Sequence, residues 1–525
     1  MRSKGRISHD GKIRFARGEA LLAPHLPHLP HLPMLQVLVP LLMAPFVLLL
    51  HPRGLAWAAA TAASLMAFAI AVVLALTVVG DAPLTYQVGR WPAPYGIELR
   101  VDDFSALLLL VITGASSVTL LGGWQSLARA LPSARQPYYF SAWLLALTGF
   151  VGIAVSADAF NIFVFMEVSS LASYVLIAGG PDRRALSAVF KYLIMGTVGA
   201  TFYLVGIGLV YMMTGTLNLA DMAVRISDVA DTRPVLLAAG FITVGLALKA
   251  AIFPLHIWLP NAYAYAPHIA TAFLAACATK VALYVLLRFD FVVLQHSASE
   301  HAVQFAGYLM PLAVLGILVG SGVAIFERDL KRLLAFSSVA QIGYMLLGAS
   351  LVTIAGLNAA ILHMFNHALA KGGLFLVVAA FCTVAASSQL EQIGGIARKM
   401  PWTFAAFVVC GLSLIGVPGT AGFLSKWYLV TAALDYGALG IALVGVILVS
   451  SLMAVVYIWR VVESACFAGE FGDDADSDSE TAAVPPLLFI AVWIVALANL
   501  YFGLASALPI ELAASAANLL MGNAP

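Results

Sequence analysis

The sequence predicts an all-α polytopic membrane protein of about fourteen transmembrane helices, in two inverted five-helix repeats with broken helices. Of its 525 residues, 62% are hydrophobic and 10% are charged, whereas a soluble domain carries about 25% charged residues. Apolar stretches of about 20 residues, enough for one membrane crossing, recur along nearly the whole chain. Only helices and closed barrels satisfy their backbone in lipid, and the sequence lacks the alternating pattern of barrel strands.

The first 33 residues differ in composition from the rest of the chain. They hold six Lys or Arg residues and an HLPHLPHLP run, so we expect a disordered extension or an upstream start codon. From Met34 onward the apolar stretches predict helices near residues 34–50, 55–79, 104–122, 138–156, 159–178, 185–213, 234–259, 268–289, 303–326, 330–350, 354–384, 402–434, 438–466 and 484–504. We divide the chain into an extension (1–33), three helices with an extracytoplasmic hairpin (34–137), a first repeat (138–289), a second repeat (303–466), an acidic cytoplasmic loop (467–483) and a last helix with a C-terminal tail (484–525).

Charges in the short loops predict the orientation of the bundle. Basic residues fall in or beside alternate loops on one face, namely Arg53, Arg129, Arg135, Arg183, Arg184, Arg328, Lys331, Arg332, Arg398, Lys399 and Arg460. The positive-inside rule makes this face cytoplasmic. We therefore expect a multi-pass protein of the bacterial inner membrane with both termini extracytoplasmic.

Charged residues inside the apolar segments are the candidates for function. Lys249 follows fourteen uncharged residues, Lys280 lies about eleven residues into its segment, and Glu167 stands near the middle of its span. A lysine at bilayer depth costs roughly 2.5 kcal/mol or more, so such residues face a protein interior or a hydrated cavity and mark ion or proton paths. If Glu167 and Lys249 meet, each favours the charged form of the other. Opening the pair would then release a proton, the alternative being a static ion pair.

One predicted helix carries three titratable side chains on one face. His363, His367 and Lys371, in AILHMFNHALAKGGLFLV, are spaced i, i+4 and i+8. Histidine takes up and returns protons near neutral pH, and three groups in register favour a proton relay over a core histidine with satisfied hydrogen bonds. No third histidine or cysteine approaches them in sequence, which disfavours a zinc site.

Proline and glycine interrupt two of the predicted helices. Pro254 follows Lys249 by five residues, and Pro418 precedes Lys426 in GLSLIGVPGTAGFLSKWYLV. A helix broken at membrane depth leaves unpaired backbone groups, which are tolerated only inside protein or beside water. Two broken segments that each bear a lysine, in corresponding halves of the chain, predict an inverted repeat around a midplane path.

The remaining features argue against other classes of function. A net charge of +1, with basic residues spread over short loops, gives no surface for nucleic acid. The four cysteines form no CxxC pair, and the acidic loop lacks the glycine that a calcium loop requires at its sixth position. We expect no cofactor, no metal ion and no chemistry of its own.

Several segments together resemble the antiporter-like family shared by respiratory complex I, membrane-bound hydrogenases and Mrp-type cation/proton antiporters. In family order these are FKYLIMGTVGATFYLVGIGLVYMMTGT, LKAAIFPLHIWLPNAYAYAP, DLKRLLAFSSVAQIGYMLLG, HMFNHALAKGGLFLV and GVPGTAGFLSKWYL. Within that family, NIFVFMEVSSLASYVLI and ATKVALY look most like the D-type branch of Mrp Na⁺/H⁺ antiporter proteins. GVPGTAG departs from the GxPPxxG of many relatives, which bears on the shape of the second helix break.

The resemblance implies fourteen helices, two inverted five-helix units and a chain of charged residues along the membrane midplane. On this sequence, Glu167 and Lys249 look like the coupled pair at the input end. Lys280 and the face from His363 to Lys371 look like the centre of the chain, and Lys426 looks like the output residue.

We therefore expect a proton-translocating subunit of a multisubunit Na⁺/H⁺ antiporter. Its partners would be other membrane subunits, H⁺, Na⁺ and the lipid bilayer, with no nucleic acid. The alternative is a proton-pumping subunit of a complex I-like or hydrogenase complex, driven by electron transfer in partner subunits. A second alternative is a membrane subunit of another assembly, such as one handling inorganic carbon, in which the charges serve only packing.

Overall fold

The computed structural model describes residues 30–50, 53–294, 301–467 and 484–522. Most of the expected extension (1–33) and of the acidic loop (467–483) lies outside the described residues. Within them the chain is almost entirely helical, as predicted, with one two-stranded sheet.

Nineteen α-helices run through the described part of the chain. They are α1 (Leu32–Leu48), α2 (Arg53–Val78), α3 (Asp103–Ala130), α4 (Gln136–Val155), α5 (Ala159–Ala178), α6 (Arg184–Thr214), α7 (Leu219–Ile226), α8 (Arg233–Ala250), α9 (Trp258–Tyr265), α10 (His268–Leu287), α11 (His301–Phe326), α12 (Leu330–Ser350), α13 (Ile354–Ala385), α14 (Ile396–Lys399), α15 (Pro401–Ile415), α16 (Ala421–Leu434), α17 (Gly437–Phe467), α18 (Pro486–Leu504) and α19 (Ala507–Leu520).

Twelve helices in the described ranges are long and apolar enough to cross a bilayer, which confirms the predicted class of polytopic membrane protein. Two predicted spans instead correspond to shorter helices. Residues 34–50 form the 17-residue α1, and residues 402–434 form α15 and α16, of 15 and 14 residues. Each is shorter than a usual transmembrane helix, which takes about 20 residues. The number of fourteen crossings stays a prediction.

The structure also contains helices that the sequence pattern did not indicate. The eight-residue α7 follows α6, and the 14-residue α19 occupies the region expected to be a C-terminal tail. Both are too short to produce the apolar signal of about 20 residues by which the other helices were predicted.

The segment between α2 and α3 forms the hairpin that the sequence predicted. Strand β1 (Leu84–Gln87) pairs antiparallel with β2 (Glu98–Val101). The second strand leads directly into α3, whose first turn is capped by Asp102.

Helices α10, α12 and α13 form the centre of the bundle. Nearly every residue of α10 and α12 is buried. Helix α10 packs against α3, α8 and α13, and α13 packs against α12 and α16. A helix that is apolar all round belongs in a protein core. Lys280 of α10 and Lys371 of α13 are thus shielded from lipid by other helices.

The two halves of the chain share local features. The start of α5 pairs with the segment before α7 through Asp158 and Asn218, and the start of α12 pairs with the segment after α13 through Asp329 and Gln389. In both cases the aspartate caps its helix by accepting from the backbone N–H three residues later. Each half also has one interrupted helix, α8 with α9 and α15 with α16. These matched features agree with the predicted repeats, and both the repeats and their inversion stay a prediction.

A buried ion pair fixes the end of α10 against α3. Nη2 of Arg288 lies 2.5 Å from Oδ1 of Asp102, and its Nε donates to the Tyr284 hydroxyl at 2.8 Å. Burial raises the pKa of Asp102, but the Arg288 guanidinium outweighs this effect and the net pKa is lowered. The charged pair therefore anchors the helix that carries Lys280.

Helices α6 and α8 approach closely because two glycines face each other. A Cβ atom on Gly245 would lie 2.5 Å from the carbonyl oxygen of Gly199 and 2.8 Å from the backbone nitrogen of Tyr203. Gly240, on the same helix, has open space within 4 Å of its Cβ position. The contact places Lys249, four residues after Gly245, against α5 and α6.

We expect Gly245→Ala to lower the thermal stability, because overpacking a tight contact costs about 1–3 kcal/mol. Gly240→Ala is the matched control, since it meets no atom and gains about 1 kcal/mol of helix propensity. Melting temperatures of the purified variants in one detergent check this. Equal melting temperatures for the two variants would contradict the close approach of α6 and α8.

Candidate functional site

Lys249 of α8 and Glu167 of α5 form an ion pair. The Lys249 ammonium nitrogen lies 3.3 Å from Oε1 of Glu167 and donates to the Ser170 hydroxyl at 2.7 Å. The lysine side chain is 6% exposed and the glutamate side chain 30% exposed. A charge taken out of water costs several kcal/mol unless it is paired and hydrogen-bonded. The structure therefore brings together the two residues considered as a pair from the sequence.

Helix α8 is interrupted one residue after Lys249. It ends at Ala250, and the chain becomes helical again at Trp258, with Pro254 between them. The break falls within the predicted span 234–259, where the sequence analysis expected Pro254 to interrupt the helix. The indole N–H of Trp258 donates to the Leu248 carbonyl at 2.9 Å, which satisfies one of the carbonyls that the end of the helix leaves unpaired.

A cavity of about 30 Å³ lies beside Lys249. Ser169, Ser170, Ser173 and Tyr192 line one side of it, and α10 lines the other. A water molecule needs roughly 10–15 Å³ and two or more polar partners. The cavity satisfies both conditions and lies between Lys249 and the apolar residues Ala278, Val281, Ala282 and Val285 of α10.

Lys280 lies in the centre of the bundle, where its amine donates to the Ala275 carbonyl. It is 1% exposed. It lines a cavity of about 10 Å³ together with residues of α3 and α13. Among the described residues no carboxylate pairs with it. Helix α10 packs against α13, which carries His363 and His367.

The face of α13 that carries His363 and His367 points into the centre of the bundle, where Lys280 lies. Nε2 of His363 lies 2.9 Å from Oε1 of Gln341 on α12, and Nδ1 lies 2.8 Å from the Ser425 hydroxyl on α16. The His367 ring stacks parallel to it at 6.1 Å between ring centroids. Both ring nitrogens of His367 are buried and lack a hydrogen-bond partner in the described part of the chain. Buried polar groups are normally satisfied, so this imidazole is free to bind water.

Lys371 continues the face one turn beyond His367. Its amine donates to the Leu334 carbonyl at 2.7 Å and to the Ser337 hydroxyl, both on α12. Lys371 is fully buried. Of the three residues placed on one face by their spacing, His363 and Lys371 therefore connect α13 with α12 and α16.

Lys426 lies at the second helix break. Helix α15 ends at Ile415 and α16 begins at Ala421, with Pro418 between them. The Lys426 amine donates to the carbonyls of Leu414 at 3.1 Å and Ile415 at 2.8 Å. These carbonyls belong to the last turn of α15, which has no intrahelical donors for them.

Uncharged side chains that hold the charged ones were not predicted from the sequence, namely Ser170, Ser337, Gln341, Ser425 and Ser451. A serine or glutamine in an apolar helix carries no charge, so it does not stand out as an expensive residue at depth. Helical spacing was a usable signal for one of them, because Ser170 follows Glu167 by three residues.

Lys331 is a buried residue that the loop pattern had placed among the charges of the cytoplasmic face. Lys331 does lie beside that loop, but its side chain is not exposed at the face. Helix α12 begins at Leu330, so Lys331 stands in its first turn and is directed inward. It is 1% exposed and donates to the Ala266 carbonyl at 2.7 Å.

The arrangement is suited to moving protons. Hydroxyl, imidazole and water each donate and accept hydrogen bonds, and amines can give up and regain a proton. These groups occur on α5, α8, α10, α12, α13 and α16, around the core of the bundle. No cluster of three or more His, Cys, Asp or Glu side chains that could hold a metal ion occurs in the described ranges.

Comparison with known sequences identifies relatives along most of the chain. Residues 156–453 match the family model for the transmembrane region of NADH:quinone oxidoreductase/Mrp antiporter proteins. The chain is 43% identical to the N-type subunit of NADH-quinone oxidoreductase from Desulforudis audaxviator, over 82% of this chain and 86% of that protein. It is 30% identical to the D-type subunit of the Na⁺/H⁺ antiporter from Bacillus subtilis, over 89% of this chain and 92% of that protein.

Solved structures of membrane complexes contain chains of the same fold. A chain of the Mrp complex from Dietzia sp. DQ12-45-1b matches with a TM-score of 0.84 and 27% identity, over 94% of this chain and 97% of that chain. A chain of the archaeal membrane-bound sulfane sulfur reductase matches with a TM-score of 0.85 and 28% identity, over 94% of this chain and 98% of that chain. A chain of respiratory complex I from Thermus thermophilus matches with a TM-score of 0.70 and 27% identity, over 92% of this chain and 99% of that chain. All three are subunits of multisubunit assemblies.

We expect Glu167→Gln to lower the melting temperature strongly, because it leaves the Lys249 ammonium buried without its counter-charge, at a cost of about 3 kcal/mol. Combining it with Lys249→Met should recover part of the loss, since the double variant buries neither charge. Thermal unfolding of the wild type, both single variants and the double variant in one detergent measures the coupling. Additive losses in the double variant would contradict a direct interaction between the two side chains.

Proposed function

The chain belongs to the NADH:quinone oxidoreductase/Mrp antiporter family of membrane proteins, and on this basis we propose that it translocates protons in a multisubunit Na⁺/H⁺ antiporter. It would work in the bacterial inner membrane, with both termini outside the cytoplasm. The named relatives support this reading, since several are D-type subunits of Na⁺/H⁺ antiporters.

The observation that carries the proposal is the Glu167–Lys249 ion pair beside the broken end of α8. At an effective dielectric near 20, opposite charges about 4 Å apart interact by about 4 kcal/mol. Holding or separating the pair thus changes the affinity of Lys249 for its proton by several orders of magnitude. An ion pair next to a helix break, with a hydroxyl as second partner, can open by a small backbone shift.

The rest of the path follows the sequence of buried groups. A proton released at Lys249 would cross the adjacent cavity towards α10 and Lys280, then reach His367 and His363. Ser425 binds His363 at 2.8 Å and immediately precedes Lys426 in α16, the proposed output residue. Lys371, on the same face as the histidines, would exchange protons with them through the interior.

A second candidate function is proton pumping within a redox complex. The observation that favours it is the 43% identity to a protein named as a subunit of NADH-quinone oxidoreductase. In that case electron transfer in partner subunits would open the Glu167–Lys249 pair, and the same residues would carry the proton. Proton movement can be measured in everted membrane vesicles that contain the complex. Driving it with a Na⁺ gradient alone, or with an electron donor alone, distinguishes the two candidates.

We expect Glu167→Gln and Lys249→Ala each to slow Na⁺-driven proton movement in everted membrane vesicles. The decrease should be tenfold or more, because about 1.4 kcal/mol already corresponds to a factor of ten. Glu391→Gln is the matched control, since Glu391 is 77% exposed and forms its ion pair with Arg328 at the membrane face. Near-normal exchange in assembled complexes carrying Glu167→Gln would contradict the proposal.

We expect the shape of the second break to control Lys426. Gly416 and Gly419 both have left-handed backbone, with φ of 92° and 88°, so alanine at either costs about 1–2 kcal/mol. A Cβ on Gly416 would lie 2.8 Å from Cδ of Lys426, whereas Gly419 has open space. Gly416→Ala should therefore slow proton movement more than Gly419→Ala at a temperature where both complexes are assembled. Equal rates would contradict a role for the position of Lys426.

A further inference from the structure

Two titratable side chains outside the proposed path, the buried Lys331 and the half-buried His268, lie where α9, α10 and α12 meet. Lys331 donates to the carbonyl of Ala266, which closes the end of α9 two residues before His268. Nδ1 of His268 is buried and lacks a hydrogen-bond partner within the described ranges. Helix α12 packs against α9 and also contacts α10, the helix that begins at His268.

This cluster connects inward to the centre of the bundle. The groups that bind the Lys371 amine are the Leu334 carbonyl and the Ser337 hydroxyl. They follow Lys331 on α12 by three and six residues. With about 3.6 residues per turn and a rise of about 1.5 Å per residue, Leu334 lies one turn along the same face, about 4.5 Å further into the membrane.

The cluster also connects outward to the membrane face where α12 begins. Asp329, two residues before Lys331, is half-buried and caps the helix. Its Oδ2 accepts from the Ser388 hydroxyl at 2.5 Å and from the Gln389 side-chain amide at 3.0 Å. Gln389 is exposed. A polar layer of Asp329, Ser388 and Gln389 thus begins two residues before Lys331 along the chain.

We propose that His268 and Lys331 form the proton entrance from this face to Lys371. The inference rests on the proposed function and extends it by naming the residues through which protons enter the interior. One proton would pass from water at this face through His268 and Lys331 to Lys371 beside Ser337. Each transfer leaves the donor able to accept the next proton, so no other reactant is consumed.

A purely structural role for Lys331 would be to close the C-terminal end of α9, where a cation is favourable. Lys331→Arg separates the two roles, because arginine keeps the charge and the hydrogen bond to the Ala266 carbonyl but does not release its proton. His268→Gln is the second variant, since glutamine stays polar and does not titrate. Arg332→Lys is the matched control, because Arg332 pairs with Glu327 at 3.1 Å near the same face and lies outside the proposed entrance.

The experiment measures the initial rate of proton movement in everted vesicles containing the whole complex, with assembly checked by purification. We expect Lys331→Arg and His268→Gln each to slow it by about tenfold or more, as for loss of a positioned proton-transfer group, and Arg332→Lys to leave it unchanged. A full rate in either assembled variant, while Glu167→Gln is slow, overturns the entrance and leaves the proposed function standing. A full rate in Glu167→Gln as well overturns both. Should Lys331→Arg fail to assemble, the result for His268→Gln decides.

Discussion

The need to solvate an ammonium group without bulk water shapes the interior of this protein. Lys249 has a carboxylate partner, but Lys280, Lys331, Lys371 and Lys426 are held by backbone carbonyls and serine hydroxyls in the described part of the chain. A carbonyl stabilises an amine by its dipole without adding a charge that would lock the proton in place. An amine held in this way can lose and regain its proton with little rearrangement of its surroundings.

The broken helices and the lysines depend on each other. A helix that ends inside the bilayer exposes carbonyls that lipid cannot satisfy, and the Lys426 amine occupies two of them at the end of α15. At the end of α8 the Trp258 indole takes that place, which leaves Lys249 free to face Glu167. The two halves thus use the same break in two ways. One break sits beside an ion pair that can open, and the other binds its lysine directly.

The sequence was sufficient to predict the helical membrane fold and to single out seven charged or imidazole side chains, because a titratable group in an apolar helix is expensive and conspicuous. The spacing of His363, His367 and Lys371 placed them on a common face, which depends only on helical geometry. The partners Gln341 and Ser425 could not be found, since they approach from other helices and carry no charge. The burial of Lys331 could not be found for a related reason. The direction of a side chain in the first turn of a helix depends on tertiary packing.

In the proposed function these groups form one hydrated proton path through the membrane. An electron cryo-microscopy map of the native complex in lipid, at a resolution that shows ordered water, tests this directly. We expect water to bridge the Lys280 amine to the ring nitrogens of His367. We also expect water in the cavity between Lys249 and α10. A map in which apolar side chains fill these spaces, with no water density beside either residue, would contradict it.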